Sequence, residues 1–213
     1  MKTKISALLL AVVIAAFSFT GCAKIVKIGE EGKLTGQTTF NAGDNVEAMW
    51  DSKAVPELTK EAVDLSTVLQ DSKGDLSTAA KKYGKTSSGT SGSTNFVVKG
   101  TGKVTLVDQK KKAGYMQIQL NGYSGKAKVQ LQIGTVYRGT SVRDSLSFIK
   151  YEDYKNQVQW AEISQAINKV IQKEVVDPLN VSSLTGKTVA FTGCLPSDDN
   201  DELVITPVKM SVK

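Results

Sequence analysis

The sequence predicts an α+β fold, in which a five-stranded, partly open β-barrel follows an N-terminal helical extension. Three observations predict it. Apolar residues recur at helical spacing between residues 41 and 83, whereas after residue 94 they alternate with polar residues in five segments. Helical spacing returns near residues 160–174, which places one helix between the third and the fourth strand.

The N-terminal segment, MKTKISALLLAVVIAAFSFTGC, combines Lys2 and Lys4 with an apolar run that is too short to span a bilayer comfortably. This pattern is typical of a secretory signal peptide, which we expect to be removed as residues 1–21. The tetrapeptide FTGC at its end is similar to the bacterial lipobox, whose cysteine sulfur receives a diacylglycerol. Cys22 is therefore the predicted lipidation site, and the alternative is an ordinary signal peptide with an incidental cysteine.

Residues 22–40 carry glycines among small polar and charged residues, as expected of a lipidated tether. The helical pattern that follows predicts a helix that Pro56 kinks or splits. A shorter helix is expected over residues 75–83, with Gly84 as a left-handed residue at its end. Because the next stretch, TSSGTSGST, has the composition of a flexible loop, residues 41–93 are interpreted as a helical segment and loop.

The predicted β domain occupies residues 94–213. Gly100 and Gly102 interrupt the apolar side of its first strand, as a strand requires where it bends sharply around a small barrel. The apolar sets of the first strand and the four later ones are Phe96, Val98, Val104 and Leu106; Met116, Ile118 and Leu120; Val129, Leu131 and Ile133; Val189 and Phe191; and Val204, Thr206, Val208, Met210 and Val212.

Three strands, a helix and two strands is the element order of the oligonucleotide- and oligosaccharide-binding (OB) barrel. A split antiparallel sheet packed on helices gives the same order and is the alternative. In either architecture the N-terminal helices are expected to cover an open side of the sheet. Trp50 and Trp160 each belong to a helical apolar series, so both are expected to be core anchors rather than ligand platforms.

The composition excludes several kinds of chemistry. The chain contains no histidine, which removes the commonest general base and the commonest zinc ligand and excludes serine-histidine and cysteine-histidine catalysis. Cys194 is the one thiol left once Cys22 is acylated, and it is expected to be inert. No catalytic residue, cofactor or metal ion is therefore expected, and the chain is interpreted as a non-enzymatic protein.

Charge patterning gives little indication of a nucleic-acid partner. The formal net charge is +6, but the lysines are dispersed and the single run, residues 110–112, lies in a predicted turn. That run is interpreted as a solvated hairpin tip, with contact to anionic lipid or glycan as the alternative. The acidic stretch 198–202 is interpreted as a hydrated turn rather than a calcium site, because it lacks the EF-hand spacing.

Two of the 27 basic residues are arginine, Arg138 and Arg143. Their planar fork makes bidentate contacts with carboxylate or phosphate that lysine cannot make. In the structural interpretation, one arginine pairs with Asp144, Glu152 or Asp153 and fixes the strand-to-helix crossover. In the functional interpretation, an anion or sugar site forms from both arginines together with nearby polar and aromatic residues. The candidate ligand or partner site comprises Arg138, Arg143, Asp144, Tyr137, Tyr154 and Asn156, with Tyr151 nearby.

The chain also resembles a family of predicted periplasmic lipoproteins whose function is unknown. The resemblance spans nearly the whole mature chain and rests on the segments CAKIVKI, KKYGK, NFVVKGTGKV, QIGTVYRGTSVRDSLSFI, LTGKTVAFTG and ITPVKMSV. Members of that family are often encoded beside sugar-type ABC transporters, and no catalytic residues are assigned to it. The resemblance implies an association with carbohydrate uptake, as an accessory to a solute-binding protein or permease.

The resulting hypothesis is a non-enzymatic envelope lipoprotein associated with sugar ABC transport. The alternatives are a stand-alone carbohydrate- or anion-binding module and an envelope hydrolase that relies on carboxylates alone. The expected partners are membrane lipid, through acylated Cys22, and sugar-transporter components or a solute-binding protein. Because Ala23 replaces the aspartate that retains many lipoproteins in the inner membrane, the periplasmic side of the outer membrane is favoured, or the outer face in a cell with one membrane.

Overall fold

The computed structural model of the chain describes residues 40–87, 93–198 and 201–213. Asn41–Lys213 forms one compact unit. The predicted signal peptide and the tether with Cys22 lie outside the described residues, apart from Phe40, as does most of the predicted flexible loop. Within the described part, none of the helices combines the length and the apolar character that crossing a bilayer requires.

Between residues 40 and 84 the structure has four α-helices: α1 Ala42–Met49, α2 Val55–Glu61, α3 Leu65–Asp71 and α4 Leu76–Tyr83. The chain passes from α1 to α2 through a wide π-helical turn, Trp50–Ala54. Pro56 follows in the first turn of α2, directly after the π-helical turn. Asn41, Asp64 and Asp75 begin α1, α3 and α4 by accepting hydrogen bonds from free backbone N–H groups.

Seven strands form one sheet: β1 Val63–Asp64, β2 Gly84–Thr86, β3 Thr94–Asp108, β4 Tyr115–Leu120, β5 Lys128–Gln132, β6 Thr188–Pro196 and β7 Glu202–Val212. The segment between β5 and β6 contains α5 Ser141–Ser145, α6 Gln157–Ile171, a π-helical turn Gln172–Val176 and the 3-10 turns Tyr151–Asp153 and Val181–Ser183. The helix predicted between the third and fourth main strands is confirmed as α6.

The five long strands close into a ring. Strand β3 pairs with β4 and β4 with β5, both antiparallel, and β5 then pairs with β7 in parallel. Strand β7 returns along β6, and β6 pairs with β3 from Asn95↔Pro196 to Lys103↔Thr188, which completes the circuit. This order confirms the predicted OB-like fold, although the ring is not a regular barrel. Strands β1 and β2 are short additions on the edge of β3.

Gly100 and Gly102 lie where β3 changes partners and approaches β4 and β6 closely. A Cβ atom on Gly100 would come within 2.8 Å of the Phe191 ring, and one on Gly102 within 2.3 Å of the backbone oxygen of Gln119. The absence of side chains therefore permits the close approach that ring closure needs, as the sequence predicted.

The prediction for Gly84 is wrong: its φ is −78°, an extended value, because the chain continues directly into β2 instead of turning back. The predicted apolar side of β7 is correct only in part: Thr206 and Val208 are buried, Met210 is half-buried and Val212 is exposed. A bulge opposite Thr192 and Gly193 inserts Val208 and shifts the alternation, so that before the bulge Leu203 and Ile205 are fully buried whereas Val204 is only half-buried.

Buried apolar residues fill the ring and the layer of helices outside it. Met116, Leu131 and Leu203 are fully buried inside the ring, while Ile163 and Ile167 are buried on α6, which packs against α1. Each such side chain contributes about 1.5–3 kcal/mol through removal of apolar surface from water. Helix α5 packs on the outer side of β3 and β6.

Candidate functional site

The predicted arginine site begins at α5, whose five residues are all buried. The guanidinium of Arg143 donates to Oδ1 of Asp144 from Nη2 at 2.7 Å and from Nε at 2.8 Å. The second carboxylate oxygen of Asp144 accepts a hydrogen bond from the Thr140 hydroxyl at 2.5 Å. Both charged side chains are more than nine-tenths buried, so each would be costly to leave without its partner.

Trp160, at the start of α6, forms the other wall of this cluster. The Arg143 guanidinium carbon lies 4.0 Å from the centre of the indole ring, and Nη1 donates to the Trp160 carbonyl at 3.1 Å. Tyr151 and Tyr154 pack against the same ring, with centroids 5.6 and 5.4 Å away. Burial, followed by the charge of Asp153, raises the pKa of Tyr154. Trp160 is confirmed as a core anchor, and the cluster ties α5 to α6.

Arg138 lies apart from this cluster in the loop after β5, and its side chain is exposed. Its backbone N–H donates to Gln132 Oε1 at 2.6 Å, and its carbonyl accepts from Gln132 Nε2 at 3.1 Å. Its guanidinium makes no hydrogen bond or ion pair with any described residue. The loop is therefore held by the buried amide of Gln132, while the charge of Arg138 faces solvent.

Tyr137 and Asn156 have separate surroundings. The Tyr137 hydroxyl donates to Gln172 Oε1 at 3.0 Å near the end of α6, and burial, with the charge of Asp177, raises its pKa. Asn156 caps the other end of α6, where its side chain accepts from the Gln159 N–H at 3.0 Å. The structure thus brings together Arg143, Asp144 and Tyr154 but not Arg138, Tyr137 and Asn156. The expected pairing of Arg143 with Asp144 is present, and a ligand role for these residues stays a prediction.

A second polar surface, on the outer side of β4 and β5, was not predicted as a site. Met116, Ile118 and Leu120 point into the ring, so Gln117 and Gln119 point outward. Gln117 is half-buried and Gln119 exposed, and neither side-chain amide makes a hydrogen bond with a described residue. The surface therefore offers free donors and acceptors on a rigid sheet.

A cleft of about 510 Å³ adjoins these glutamines, at the end of β4 and the start of β5. Tyr123 lines it together with Lys126 and Lys128, and the Tyr123 hydroxyl accepts a hydrogen bond from the Ala127 N–H at 3.3 Å. The signal for this surface was present in the alternation of YMQIQL and KVQLQ, where every outward position carries a polar or aromatic side chain.

Metal binding has no candidate in the described part of the chain, where no three His, Cys, Asp or Glu residues come together as ligands. The acidic stretch 198–202 is described only in part, because Asp199 and Asn200 lie outside the described residues. The lysine run 110–112 is exposed in the turn between β3 and β4, as predicted.

The fold is similar to that of a solved protein. The crystal structure of an OB-fold protein from Thermotoga maritima, determined at 1.90 Å resolution, superposes with a TM-score of 0.63. The two sequences are 16% identical, and the match covers 83% of this chain and 100% of that one. At this identity the likeness establishes the fold alone. No curated protein matches the sequence.

The family model described as predicted periplasmic lipoprotein (DUF2291) matches residues 12–211. This range contains the predicted lipidation site, Cys22, and nearly all of the ring, so the resemblance found in the sequence is confirmed. The description agrees with an exported protein that is anchored to a membrane. The chain belongs to this family of predicted periplasmic lipoproteins, whose function is unknown.

Proposed function

We propose that this lipoprotein is a non-enzymatic binding protein, whose ring of strands holds a carbohydrate at the membrane surface. The observation that carries the proposal is the pair of free outward amides on β4, Gln117 and Gln119, beside the cleft lined by Tyr123. Strands β4 and β5 are the second and third strands of the ring, and in OB-folds this face binds oligosaccharides or oligonucleotides. Of these two ligand classes, we expect an exported protein to meet carbohydrate rather than nucleic acid.

The chemistry of the surface suits a sugar. Each of the amides of Gln117 and Gln119 both donates and accepts, as neighbouring hydroxyls of a sugar ring require. Tyr123 supplies an aromatic ring against which the apolar C–H face of a sugar packs. Among the described residues, the cleft is lined by Lys126 and by Lys128, whose charge is paired with Glu202, and by no Asp or Glu, so a neutral sugar fits and Lys126 could also meet an acidic one.

The non-enzymatic part of the proposal rests on the sequence. A chain without histidine must use other groups for proton transfer. Glu57 and Glu61 converge in the described residues, but both carboxylates are bound to Lys85. If the protein were instead a hydrolase that relies on carboxylates, it would turn over a glycan, and a single Asp or Glu substitution would abolish that turnover.

The binding site is tested with the full-length, lipidated protein in neutral detergent, by a glycan array followed by calorimetry. We expect saturable binding to an oligosaccharide. Substituting both Gln117→Ala and Gln119→Ala is expected to weaken binding about thirtyfold, because each of the two lost hydrogen bonds contributes roughly 1 kcal/mol. Gln165→Ala, on the exposed side of α6, is the matched control and leaves affinity unchanged. A silent array, or a double variant that binds as tightly as the wild type, contradicts this site.

The partner is proposed to be a sugar ABC transporter or its solute-binding protein. The support is the family resemblance, which implies an association with such transporters, and the placement that a lipid on Cys22 would provide. In a cell with two membranes, Ala23 favours the outer membrane. Crosslinking on intact cells followed by mass spectrometry is expected to recover transporter components. Repeated recovery of other envelope proteins in their place would refute the association without affecting the carbohydrate site.

A further inference from the structure

The outer surface of β3, β6 and β7 carries two aligned rows of side chains. In the first row, Lys99 of β3 is paired with Thr192 of β6, which is paired with Lys209 of β7. In the second row, Thr101, Ala190 and Ser211 are aligned in the same way. The central strand therefore contributes small side chains, while lysines and hydroxyl groups flank it on both neighbours. This arrangement is a trough with basic sides.

The trough opens into a cleft of about 440 Å³. Thr59 from α2 and Asn121, which follows β4, complete its walls. This volume is within the range of small-molecule sites, which run from about 300 to 1,000 Å³. The cleft shares no lining residue with the cleft beside Gln117 and Gln119, so it is a separate site.

Thr192 forms the floor of the cleft. It is 7% exposed, yet its hydroxyl makes no hydrogen bond with any described residue. The side chains of Thr101, Asn121 and Ser211, which surround it, likewise have no hydrogen-bond partner among the residues that the structure describes. These polar groups face the cleft, where they are available to donate hydrogen bonds to a ligand with several acceptor atoms.

Both lysines of the first row are also free. Four described lysines have carboxylate partners, among them Lys82, which binds Asp71 at 2.7 Å, and Lys128, which binds Glu202 at 3.3 Å. Across the described residues, Lys99 and Lys209 have no carboxylate oxygen within 4.0 Å. The trough therefore presents two lysines without an ion-pair contact on either side of the Thr192 hydroxyl, although Asp64 is paired with Lys99 across β1 and β3.

Asp64 is the one acidic residue that lines the cleft, and its charge opposes an anion. Its Oδ1 atom is occupied at the start of α3, where it accepts from the Ser66 N–H at 2.9 Å, the Ser66 hydroxyl at 2.5 Å and the Thr67 N–H at 3.2 Å. These donors spread the negative charge over the helix terminus. Because the cleft contains two lysines and one carboxylate, which is already hydrogen-bonded, its net charge is positive.

We propose that this cleft binds a phosphate group, with Lys99 and Lys209 on either side and the Thr192 hydroxyl beneath it. Neighbouring strands lie about 4.8 Å apart, so the backbones that carry the two lysines are separated by about 10 Å, a span that two flexible lysine side chains close around one tetrahedral anion. The remaining phosphate oxygens accept from Thr101, Ser211 and Asn121. A phosphate has more acceptor atoms than a carboxylate, which fits the number of free donors here.

Phosphate of this kind reaches a lipid-anchored protein from two sources, a soluble phosphate ester and the headgroup of an anionic lipid. The test is lysine acetylation of the full-length, lipidated protein, followed by mass spectrometry of each lysine. One arm uses phosphatidylcholine vesicles with glycerol phosphate added in solution. The other arm uses vesicles of phosphatidylcholine and phosphatidylglycerol in equal parts, without soluble phosphate. Lys110 and Lys111, exposed in the turn after β3, are the internal control.

We expect acetylation of Lys99 and Lys209 to slow about tenfold at a ligand concentration of about nine times the dissociation constant, while Lys110 and Lys111 react at an unchanged rate. Protection with glycerol phosphate alone assigns the site to soluble esters, and protection in the anionic vesicles alone assigns it to lipid headgroups. Thr192→Val, which keeps the side-chain shape, is expected to weaken either protection. If Lys99 and Lys209 are unprotected in both arms, or if all four lysines slow equally, the proposal is wrong.

Discussion

Arg143 connects two segments of the chain that would otherwise meet only through apolar contacts. Its guanidinium binds Asp144 within α5, and it also stacks on Trp160 and donates to its carbonyl in α6. A buried ion pair of this type adds little net free energy when complete, because desolvation offsets the attraction between the charges. Its main effect is to specify one arrangement, since an incomplete pair leaves a charge buried without a partner.

Arg143→Ala is therefore expected to destabilise the fold by about 3–5 kcal/mol, because it leaves the Asp144 carboxylate buried and unpaired. Arg138→Ala is the matched control, and it should change the free energy of unfolding by no more than about 0.5 kcal/mol because its side chain is exposed. Urea denaturation of both variants measures this difference. Equal stability of the two variants would show that the buried pair does not stabilise the crossover.

Cys194 lies on the outer side of β6 but is nevertheless buried. Its side chain points out of the ring, as predicted, but α5 lies over it and leaves it fully buried. Burial raises the pKa of the thiol from 9.0 to about 12, although Ser145 acts in the opposite direction. The thiol therefore stays protonated and unreactive in the folded protein at neutral pH.

This thiol is expected to make stability depend on alkaline pH. Above pH 9 the unfolded chain loses the thiol proton while the folded chain retains it until about pH 12, so the unfolded state is favoured as pH rises. Between these values the free energy of unfolding should fall by about 1.4 kcal/mol per pH unit more in the wild type than in Cys194→Ala. Denaturation at several pH values measures the two slopes, and identical slopes would mean that the thiol is not shielded.

At the scale of elements, β3 determines whether the ring can close. This strand pairs with β6 along one edge, and its other edge pairs in turn with β2, β1 and β4. The two glycines at the change of partner leave room for the neighbouring strands. Their positions were readable from the sequence because they interrupt a regular apolar alternation.

Gly102→Ala is expected to destabilise the protein by about 1–3 kcal/mol, because its Cβ would lie within 2.3 Å of a backbone oxygen that cannot move without disturbing β4. Gly43→Ala provides the comparison, since the added Cβ would meet only a side-chain oxygen at 3.3 Å in the first turn of α1. It should change stability by less than about 0.5 kcal/mol. Thermal unfolding of both variants distinguishes them, and an unaffected Gly102→Ala protein would contradict the packing described for β3.

The elements with strong apolar periodicity were predicted from the sequence. The elements that were missed, β1, β2 and the bulge in β7, depend on tertiary contacts. The five long strands and α6 have regular apolar patterns that local residues determine. Strands β1 and β2 are too short to produce a pattern, and they exist because β3 offers them an edge. The bulge near Val208 depends on pairing with β6, so only tertiary structure fixes which side of β7 turns inward.

At the scale of the whole molecule, the clefts arise from distant parts of the chain. The outward positions of Gln117 and Gln119 could be read from the alternation of β4. Their exposure, however, depends on which side of the ring the helices cover. The trough around Thr192 combines residues of three strands, and their alignment follows from strand register rather than from any local motif. Lys99 and Lys209 are 110 positions apart in the sequence, 209 minus 99, and could not have been associated from the sequence alone.

The proposed functions depend on the ring and on the membrane anchor together. A lipid on Cys22 would keep both clefts at the membrane surface, where envelope carbohydrates and phosphate-bearing ligands are concentrated. A diacyl chain holds firmly, because each buried methylene contributes about 0.8 kcal/mol. Placement by acyl chains, without a spanning helix, is therefore the claim on which the proposed carbohydrate and transporter roles depend.

Fractionation of cells that express Cys22→Ser tests this claim most directly. The variant has no sulfur to acylate, so we expect it in the soluble fraction or the medium, while the wild type stays with the membrane. Cys194→Ser is the matched control and should remain membrane-bound, because its substitution affects only the buried thiol. If the Cys22→Ser protein sediments with the membrane as completely as the wild type, acylation of Cys22 is not what anchors this chain.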